Sequence, residues 1–315
     1  MSTRTAVVAI GGNSLIKDKF HQTVRDQYIA AQETCDHLVS MVADGWRLAV
    51  VHGNGPQVGF IMRRSELAAH ELHEVPMDAC GADTQGALGY ALQQNFYNEF
   101  KRLKIKANAV TVVTQMEVDV NDPAFKKPSK PIGSFMDEAK AKERAEKDGW
   151  SIMEDAGRGW RRVVPSPKPL RIVEEEAIKK LLNDDFVVIC AGGGGIPVKA
   201  DANGVLEGVA AVIDKDLAAA LLATRIGAEL FVISTAVEKV ALNYGKPNQE
   251  WLDHLTLKEA KRLLAEGKHF AAGSMAPKIQ AVIEYLERGG KEALITSPEA
   301  LERAMAGKTG TRITI

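Results

Sequence analysis

Short apolar runs recur along the chain, and longer stretches with helical spacing separate them. The apolar runs cover residues 5–10, 47–51, 107–113, 186–191, 229–234 and 293–296, and glycine or a polar turn follows each. Helical spacing predicts helices at 24–42, 57–72, 82–103, 174–182, 216–224, 257–266 and 277–288. Because continuous rather than alternating apolar strands are covered on both faces, this order predicts an α/β fold. We expect a three-layer α/β/α sandwich with a mainly parallel central sheet.

The segment 118–169 interrupts this alternation of strands and helices. It contains six of the twelve prolines, two of the four tryptophans and the charged helix-like stretch DEAKAKERAEKDG. We interpret it as a small subdomain that protrudes from the sheet, with a hairpin near RGWRRVV. A disordered linker is the alternative, but tryptophans and apolar pairs disfavour disorder.

Composition and charge exclude several classes of protein. The 315 residues are 45% apolar and 26% charged, with a formal net charge of -1, which indicates a soluble domain and no nucleic-acid partner. No apolar stretch approaches the ~20 residues of a membrane helix, and the apolar segment near the N-terminus is too short for a signal peptide. We therefore expect a cytoplasmic protein with no membrane contact. Cys35, Cys80 and Cys190 are far apart in apolar sequence and are interpreted as core thiols, without a metal site.

Three predicted strand ends lead into glycine-rich loops. They are AIGGNSL with Gly11, Gly12 and Asn13, VVHGNGPQVG with Gly53, Asn54 and Gly55, and CAGGGGIPV with Gly193 and Gly194. In open parallel sheets, ligands bind at the carboxyl ends of the strands, where bare backbone N–H groups attract anions. For one loop alone, close packing of a helix on the sheet explains the glycines equally well. Three loops at one edge favour a ligand site, although none matches the P-loop pattern.

The four glycines at 192–195 allow three interpretations: a flexible linker, a tight packing corner, or backbone that approaches a ligand. Strands and helices continue on both sides and Pro197 stiffens the exit, so a linker is disfavoured. We expect packing to account for one or two of the glycines and close approach to a ligand for the others. Gly193→Val or Gly194→Val is then expected to abolish turnover.

Lysines near predicted helix starts provide the cations that such a site needs. Lys278 falls in the first turn of the helix predicted to begin at residue 277, and Lys215 opens another helix between Asp214 and Asp216. Asp216 is predicted to be the N-terminal cap of that helix. Lys130 lies between prolines in the predicted subdomain. Positioned lysines and backbone amides are what phosphoryl transfer requires. The alternatives are a solvated charge cluster at the helix start and an ordinary surface lysine.

These segments together resemble the carbamate kinases of the amino acid kinase family along essentially the whole chain. The resemblance is carried by AIGGNSL, VVHGNGPQVG, MDACGADTQGALGYALQQ, NDPAFKKPSKPIG, CAGGGGIPV, VIDKDLAAALLA, ISTAVEKVALNYGKP and GSMAPKIQAVIEYL, in that order. It implies a subdomain that leans over the active site, a homodimer, and ATP or ADP with Mg²⁺. The implied reaction converts ATP and carbamate to ADP and carbamoyl phosphate. Such enzymes commonly run it in reverse, making ATP from the carbamoyl phosphate of arginine or purine catabolism.

Matching positions assign roles to individual residues. The resemblance implies catalysis by Lys130, Lys215 and Lys278, with Asp216 orienting the lysines. It implies a carbamate and phosphoryl site at Gly11, Gly12, Asn13, Gly53, Asn54, Gly55, Gly193 and Gly194. It implies a nucleotide site at Asp214, Ala236, Val237, Val240, Ser274 and Met275. The single domain 1–315 then divides into a carbamate-binding half at 1–200, which contains the subdomain, and a nucleotide-binding half at 201–315.

A few positions depart from that group. Ala276 stands where glycine is common and adds a methyl group beside the nucleotide phosphates, while Ser14 stands where alanine is common. His52 is interpreted either as a ligand residue or as a hydrogen-bonded structural histidine. Two other functions stay open from the residues alone. One is phosphorylation of a different small carboxylate, phosphate or phosphonate, and the other is a non-catalytic protein that binds nucleotide without turnover.

Overall fold

The computed structural model describes residues 4–11, 21, 23–155, 159–271 and 273–315. Its strands are β1 Arg4–Ile10, β2 Trp46–His52, β3 Asn108–Thr111, β4 Gln115–Val118, β5 Lys130–Met136, β6 Ser151–Glu154, β7 Trp160–Val164, β8 Pro169–Ile172, β9 Phe186–Ile189, β10 Ile196–Ala200, β11 Leu206–Gly208, β12 Leu230–Ser234, β13 Val240–Leu242, β14 Glu250–Leu252, β15 His254–Thr256, β16 Glu292–Thr296 and β17 Thr311–Thr314. Its helices are α1 Val24–Ala43, α2 Gln57–Ala68, α3 Met77–Leu103, α4 Pro123–Lys126, α5 Glu138–Asp148, α6 Glu175–Asn183, α7 Lys215–Arg225, α8 Leu257–Ala265, α9 Met275–Glu287 and α10 Leu301–Met305.

An eight-stranded sheet forms the centre of the molecule, in the order β15-β17-β16-β12-β1-β2-β9-β3. The neighbours from β16 to β3 pair in parallel, whereas β17 pairs antiparallel with β16. The predicted mainly parallel sheet is therefore confirmed. The antiparallel strand β17 was not predicted, because it is short and alternates buried with half-buried residues.

Helices cover both faces of this sheet. In β1, Val7 and Ala9 face a core shared with α6, α7, α8 and α9, whereas Ala6 and Val8 face a core shared with α1, α3 and α10. All four side chains are fully buried. A strand buried on both faces needs apolar residues at every position, which explains the continuous runs in the sequence. The predicted three-layer sandwich is confirmed.

The interrupting segment folds as an ordered unit. Strands β5, β7 and β6 form an antiparallel three-stranded sheet with α5 beside it, and this unit is inserted between β4 and β8. Strands β4 and β8 themselves belong to a second, four-stranded sheet in the order β11-β10-β4-β8. The predicted small subdomain and its hairpin near Trp160 are thus confirmed, and the linker interpretation is wrong for the described residues.

Several helix ends differ from the predicted ones. Helix α3 begins at Met77, five residues before the predicted start, and α2 ends at Ala68 rather than at residue 72. Helix α9 begins at Met275, so Pro277 is its third residue and not its first. A proline is tolerated throughout the first turn because the N–H groups there have no intrahelical acceptor. The rule that places proline in a first turn therefore cannot fix the exact starting residue.

Candidate active site

The glycine loops meet at the carboxyl edge of the central sheet. Gly11 follows β1, the loop 53–55 follows β2, and the loop 191–195 follows β9, and these three strands are neighbours in the sheet. A side chain at Gly53 would begin 3.7 Å from Cδ of Lys215, so the second loop lies directly against that lysine. The predicted positions Gly12 and Asn13 lie outside the described residues, as does Ser14.

The four-glycine loop is a buried, tightly packed turn. A Cβ atom at Gly193 would lie 1.9 Å from Oδ1 of Asn54, and one at Gly194 would lie 2.4 Å from the carbonyl oxygen of Ile213. The backbone φ angles of these two glycines are 68° and 97°, in the left-handed region that side chains disfavour. Gly192 and Gly195 would also collide with neighbours, at 2.3 and 2.8 Å. The expectation that packing explains only one or two glycines is therefore wrong, and close packing accounts for all four.

A buried glutamine fixes this loop. The carboxamide of Gln85 on α3 donates to the carbonyl oxygens of Thr114 at 3.1 Å and Gly192 at 3.0 Å, and it accepts from the N–H of Thr114 at 2.7 Å. The hydroxyl of Thr114 accepts from the N–H of Ala191 at 2.9 Å. Sequence reasoning gave Gln85 no role, although it lies in the segment MDACGADTQGALGYALQQ and is a polar residue on the buried face of a helix. We infer that it holds the loop in place rather than contacting a substrate.

Lys215 and Lys278 are held by a single carboxylate. Nζ of Lys215 donates to Oδ1 of Asp216 at 2.5 Å, and Nζ of Lys278 donates to Oδ2 at 2.8 Å. Asp216 is buried, and the two lysine side chains are 14% exposed each. The predicted orienting role of Asp216 fits this geometry, because each of its oxygens fixes one ammonium group.

Lys215, Asp216 and Lys278 form a triad whose net charge favours the binding of an anion. Burial alone raises the pKa of the Asp216 carboxyl, but the ammonium groups of Lys215 and Lys278 outweigh that effect and hold the pKa well below its usual value. Burial lowers the pKa of Lys215, and the charge of Lys278 lowers it further, against the opposing effect of Asp216. Two cations and one anion leave a surplus positive charge at a largely buried position, where Coulomb interactions are stronger than in water.

Asp214, and not Asp216, caps helix α7. Its backbone is extended, with φ at -68° and ψ at 124°, and its Oδ1 accepts from the N–H of Asp216 at 2.9 Å. The prediction that Asp216 is the cap is wrong, because the helix begins one residue earlier and Asp216 lies in its first turn. Asp214 Oδ2 also accepts from Nζ of Lys130 at 2.8 Å. The cap therefore ties the subdomain lysine to the helix that carries Lys215.

An open cleft of about 910 Å³ brings these groups together. Its lining includes Lys130, Lys215, Lys278, Asp214, Asp216, Gly53, Asn54, Gly55, Gly193 and Ser274. The subdomain strand β5 forms one wall, and the start of α9 forms another. The cleft is within the size range of small-molecule sites. It joins the predicted catalytic residues to four of the eight predicted substrate residues, Gly53, Asn54, Gly55 and Gly193, whereas Gly11 and Gly194 are not part of its lining.

The predicted adenine contacts lie apart from the lining of this cleft. Ala236 is exposed and Val237 half-buried in the loop after β12, whereas Val240 begins β13 and is fully buried in the core. The side chain of Val240 therefore packs inside the protein, and its N–H donates to Thr311 Oγ1 at 2.8 Å. Met275 is the first residue of α9, beside Ser274 at the cleft. The adenine site stays a prediction.

His52 is buried behind the glycine loops. Its Nδ1 lies 2.8 Å from the carbonyl oxygen of Gly53, and a side chain at Gly192 would collide with its Nε2. Burial lowers the pKa of His52 to about 4, and the charge of Lys215 acts in the same direction. The imidazole is therefore neutral at neutral pH. This environment supports the structural interpretation of His52.

We expect His52 to destabilise the fold in acid. Its pKa is lower in the folded protein than in the unfolded chain, so its contribution is complete above about pH 6.5 and is lost as the pH falls toward 4. A shift of this size corresponds to about 3 kcal/mol in the free energy of unfolding. Urea unfolding across this pH range should show a shallower pH dependence for His52→Gln than for the unchanged chain. The exposed control, His70→Gln, should keep the original dependence, and an equal slope in all three proteins would contradict this prediction.

Comparison with known proteins places these features in a family. A sequence model of the amino acid kinase family matches residues 4–297. The chain is 51% identical to the carbamate kinase-like protein YahI of Escherichia coli (strain K12) over 98% of both chains. It is 44% identical to a carbamate kinase of Thermococcus kodakarensis over 98% of this chain and 99% of the relative. A solved structure of carbamate kinase from Giardia lamblia bound to AMP-PNP matches with a TM-score of 0.92 and 42% identity, over 99% of each chain.

Proposed function

Since the chain belongs to the amino acid kinase family, we propose that it transfers a phosphoryl group reversibly between ATP and carbamate, giving ADP and carbamoyl phosphate. The observation that carries this proposal is the pair of lysines that Asp216 holds in the cleft beside the glycine loops. Relatives named as carbamate kinases align with almost the whole chain, including both the cleft and the subdomain. The proposed physiological use is ATP formation from carbamoyl phosphate.

The three lysines have complementary parts in this proposal. Lys215 and Lys278 balance the charge that develops on the moving phosphoryl group, and Asp216 holds them in place before the substrate arrives. Lys130 lines the cleft from the subdomain side and is proposed to contact the carbamate end of the substrates. Carbamate already carries an anionic oxygen, so the reaction needs no general base. The neutral, buried state of His52 agrees with this reaction.

Asn54 is a candidate contact to the carbamate amino group. Its Oδ1 is buried and has no hydrogen-bond partner among the described residues, although its side chain lines the cleft. An unpaired buried acceptor is unfavourable unless a ligand satisfies it. The amino group of carbamate or carbamoyl phosphate offers N–H donors for this oxygen. We therefore place the nitrogen end of the substrate near Asn54, beside Gly193.

The nucleotide is proposed to bind with its phosphates at the start of α9. Ser274 and Lys278 line the cleft there, and N–H groups in the first helical turn attract phosphate oxygens. The related Giardia enzyme was solved with AMP-PNP. Within the described ranges, no group of three or more His, Cys, Asp or Glu side chains forms a metal-ligand set. We therefore propose that Mg²⁺ would be held mainly by nucleotide phosphates and water, where it would neutralise phosphate charge.

A coupled assay tests the proposed reaction directly. Purified protein given ADP, Mg²⁺ and carbamoyl phosphate should form ATP, which hexokinase and glucose-6-phosphate dehydrogenase report continuously. Absence of ATP would contradict the proposal. In the other direction, ADP release with carbamate should exceed that with other small carboxylates, phosphate or phosphonates. Faster turnover of one of those acceptors would favour the alternative function within the same family.

Replacing Lys130 with methionine should weaken the use of carbamoyl phosphate. We expect kcat/KM to fall by about tenfold to a hundredfold, because a charge-assisted contact to the substrate is lost together with the link to Asp214. Steady-state kinetics of ATP formation measure this. Lys127→Met changes an exposed lysine in the same segment and should leave kcat/KM unaltered. Equal kinetics for the two variants would remove Lys130 from the proposed site.

The quaternary structure and location are also proposals. Large apolar side chains on α1 and α3 are exposed, with Ile29 at 44%, Tyr90 at 56% and Tyr97 at 43%. We propose that this face forms the contact of a homodimer, which analytical ultracentrifugation measures. No described helix is long and apolar enough to cross a membrane. A cytoplasmic location and the division into halves at 1–200 and 201–315 remain expectations.

A further inference from the structure

A second pocket lies on the other side of the subdomain strand from the catalytic cleft. Its volume is about 200 Å³, and it lies between α2 and the β5-β7-β6 sheet. We call it the subdomain pocket. It shares Gly59 and residues 132–135 with the lining of the cleft, whereas Lys130, Lys215 and Lys278 line only the cleft. It is much smaller than the cleft of about 910 Å³, so its size suits a small organic acid rather than a nucleotide.

Cations outnumber acids in the lining of the subdomain pocket. Its charged residues are Arg63, Lys140, Arg144, Arg162 and Glu66. Glu66 accepts from both Arg63 and Arg144, at 3.2 Å each. Arg144 also pairs with Asp148 outside the pocket, and Lys140 pairs with Glu143. The acids nearby therefore satisfy three of the four cations.

Arg162 is the fourth cation of the pocket, and these acids do not pair with it. No carboxylate lies within ion-pair distance of its guanidinium in the part of the chain that the structure describes, and its contact is the ring of Trp150 at 4.8 Å. Arg144 lies against the same ring at 4.9 Å, so two positively charged guanidinium groups contact one indole. Burial lowers the pKa of Arg162, while Glu66, Asp148 and Glu74 oppose that effect from farther away. A half-buried guanidinium without an acid partner can offer its N–H donors to a bound anion.

Strand alternation explains why one arginine serves each pocket. In β7, Arg161 lines the catalytic cleft and the next residue, Arg162, lines the subdomain pocket. Successive side chains of a strand point to opposite faces, so the two cations lie on either side of the same small sheet. Arg161 already donates to the carbonyl oxygen of Gly133 and pairs with Asp155, whereas Arg162 keeps its donors for another partner.

We propose that the subdomain pocket binds a small carboxylate with an apolar body, and that its occupancy changes the affinity of the catalytic cleft for substrate. The planar guanidinium fork of Arg162 matches a carboxylate, and Met62, Ile132 and Phe135 offer apolar walls for the rest of the ligand. Inorganic phosphate would satisfy the charge but not the apolar walls. The regulatory half of this inference rests on the proposed function, whereas the binding half does not.

Strand β5 provides the physical connection between the two sites. It begins at Lys130, whose ammonium group pairs with Asp214 in the cleft, and residues 132–135 of the same strand contribute to both linings. Gly59 of α2 lies so close to β5 that a Cβ atom at Gly59 would be 3.1 Å from the Cα atom of Gly133. A ligand between α2 and β5 would contact the strand that carries Lys130, and we expect it to favour one position of that strand over another. A ligand in the subdomain pocket changes the position of β5 only if it binds more tightly to one position of the strand than to another.

Titration calorimetry of the full chain with benzoate tests the binding half. We expect one site per chain, retained in Lys278→Met and weakened about tenfold or more in Arg162→Gln, because the carboxylate loses its guanidinium fork. Arg162→Lys keeps the charge and stem without the fork, so it should bind with intermediate affinity even if Arg162→Gln folds poorly. Exposed Lys308→Gln should match the unchanged chain.

Three other outcomes of the benzoate titration would overturn the proposed carboxylate site. No benzoate binding below about 10 mM would show that the pocket is not a site. Binding lost in Lys278→Met but kept in Arg162→Gln would place benzoate in the catalytic cleft. Inorganic phosphate that competes equally at the Arg162-dependent site would replace the carboxylate class with a simple anion. These readouts require no turnover, so they are independent of the proposed function.

Kinetics test the regulatory half. Benzoate should change KM for carbamoyl phosphate in the unchanged chain, and the change should disappear in Arg162→Gln or, if that variant is unstable, diminish in Arg162→Lys. Because coupling between binding sites is reciprocal, carbamoyl phosphate should shift the calorimetric affinity for benzoate in the corresponding direction. Benzoate binding with unaltered KM and no reciprocal shift would overturn the coupling. Absence of any ATP formation would count against the proposed function instead.

Discussion

Replacing Lys215 with methionine is expected to lower kcat for ATP formation by about a hundredfold or more. The physical reason is the geometry of the triad, in which Asp216 holds Lys215 and Lys278 side by side at a largely buried position. Water cannot replace a preorganised ammonium group there without reorganisation when the phosphoryl group moves. Lys278→Met should cause a loss of similar size. The measurement is kcat at saturating ADP and carbamoyl phosphate.

The two lysines should also fail to act independently. Since one carboxylate fixes both, removal of either leaves Asp216 free to neutralise the other, and the double variant should be only slightly slower than each single variant. Circular dichroism and urea unfolding should first establish that each variant is folded. Lys308→Met, at an exposed position, is the matched control and should keep full activity. Nucleotide binding together with unaltered kinetics in both lysine variants would support a non-catalytic protein.

Gly193→Val is expected to abolish measurable turnover. Its φ angle of 68° disfavours a β-branched residue, and the new Cβ would begin 1.9 Å from Oδ1 of Asn54. The displaced group is the side chain that we place next to the substrate nitrogen. Because a side chain can move more easily than backbone, the fold should survive better than the site. Activity and urea midpoints should therefore separate, with activity lost by a far larger factor.

Gly194 and Gly204 provide the comparison for this variant. At Gly194, a Cβ would meet the backbone carbonyl of Ile213 at 2.4 Å, so Gly194→Val should also lower the free energy of unfolding. Gly204 has a similar φ of 82°, but no atom lies within 4 Å of its Cβ position, and it is exposed. Gly204→Val therefore reproduces the backbone strain without the collision, and it should remain active. If Gly193→Val were as active as Gly204→Val, the assignment of this loop to the site would be wrong.

Most of the central sheet was predictable because its strands are buried on both faces. β1, β2, β9, β12 and β16 are apolar at nearly every position, and short runs of that kind bounded by turn residues are typical of strands in a covered parallel sheet. Outside the inserted subdomain, strands β4, β8, β10, β11, β13, β14, β15 and β17 were missed. Each is three to five residues long, and several contain polar residues, so their structure depends on pairing partners that are distant in the chain.

The site was predictable in its residue types but not in its contacts. Asp214 and Asp216 satisfy the same sequence rule for a helix cap, and only the backbone conformation shows that Asp214 is the cap. That difference frees Asp216 to hold two lysines from separate helices, α7 and α9. Gln85 lies in a segment that resembles the family, but nothing in that segment shows that it fixes the four-glycine loop. Its function depends on Thr114 and Gly192, which the fold brings to it.

The layered fold, the three glycine loops and the lysines could be predicted from the sequence alone, because apolar runs, the φ preference of glycine and the residue types near helix starts are local properties of the chain. Which of these groups contact each other depends on the three-dimensional fold. The tertiary structure showed that all four glycines at 192–195 are packed against neighbours, that Val240 is buried in the core, and that Arg162 lacks an acid partner within the described residues. Those facts depend on contacts between segments far apart in sequence, which no local pattern specifies.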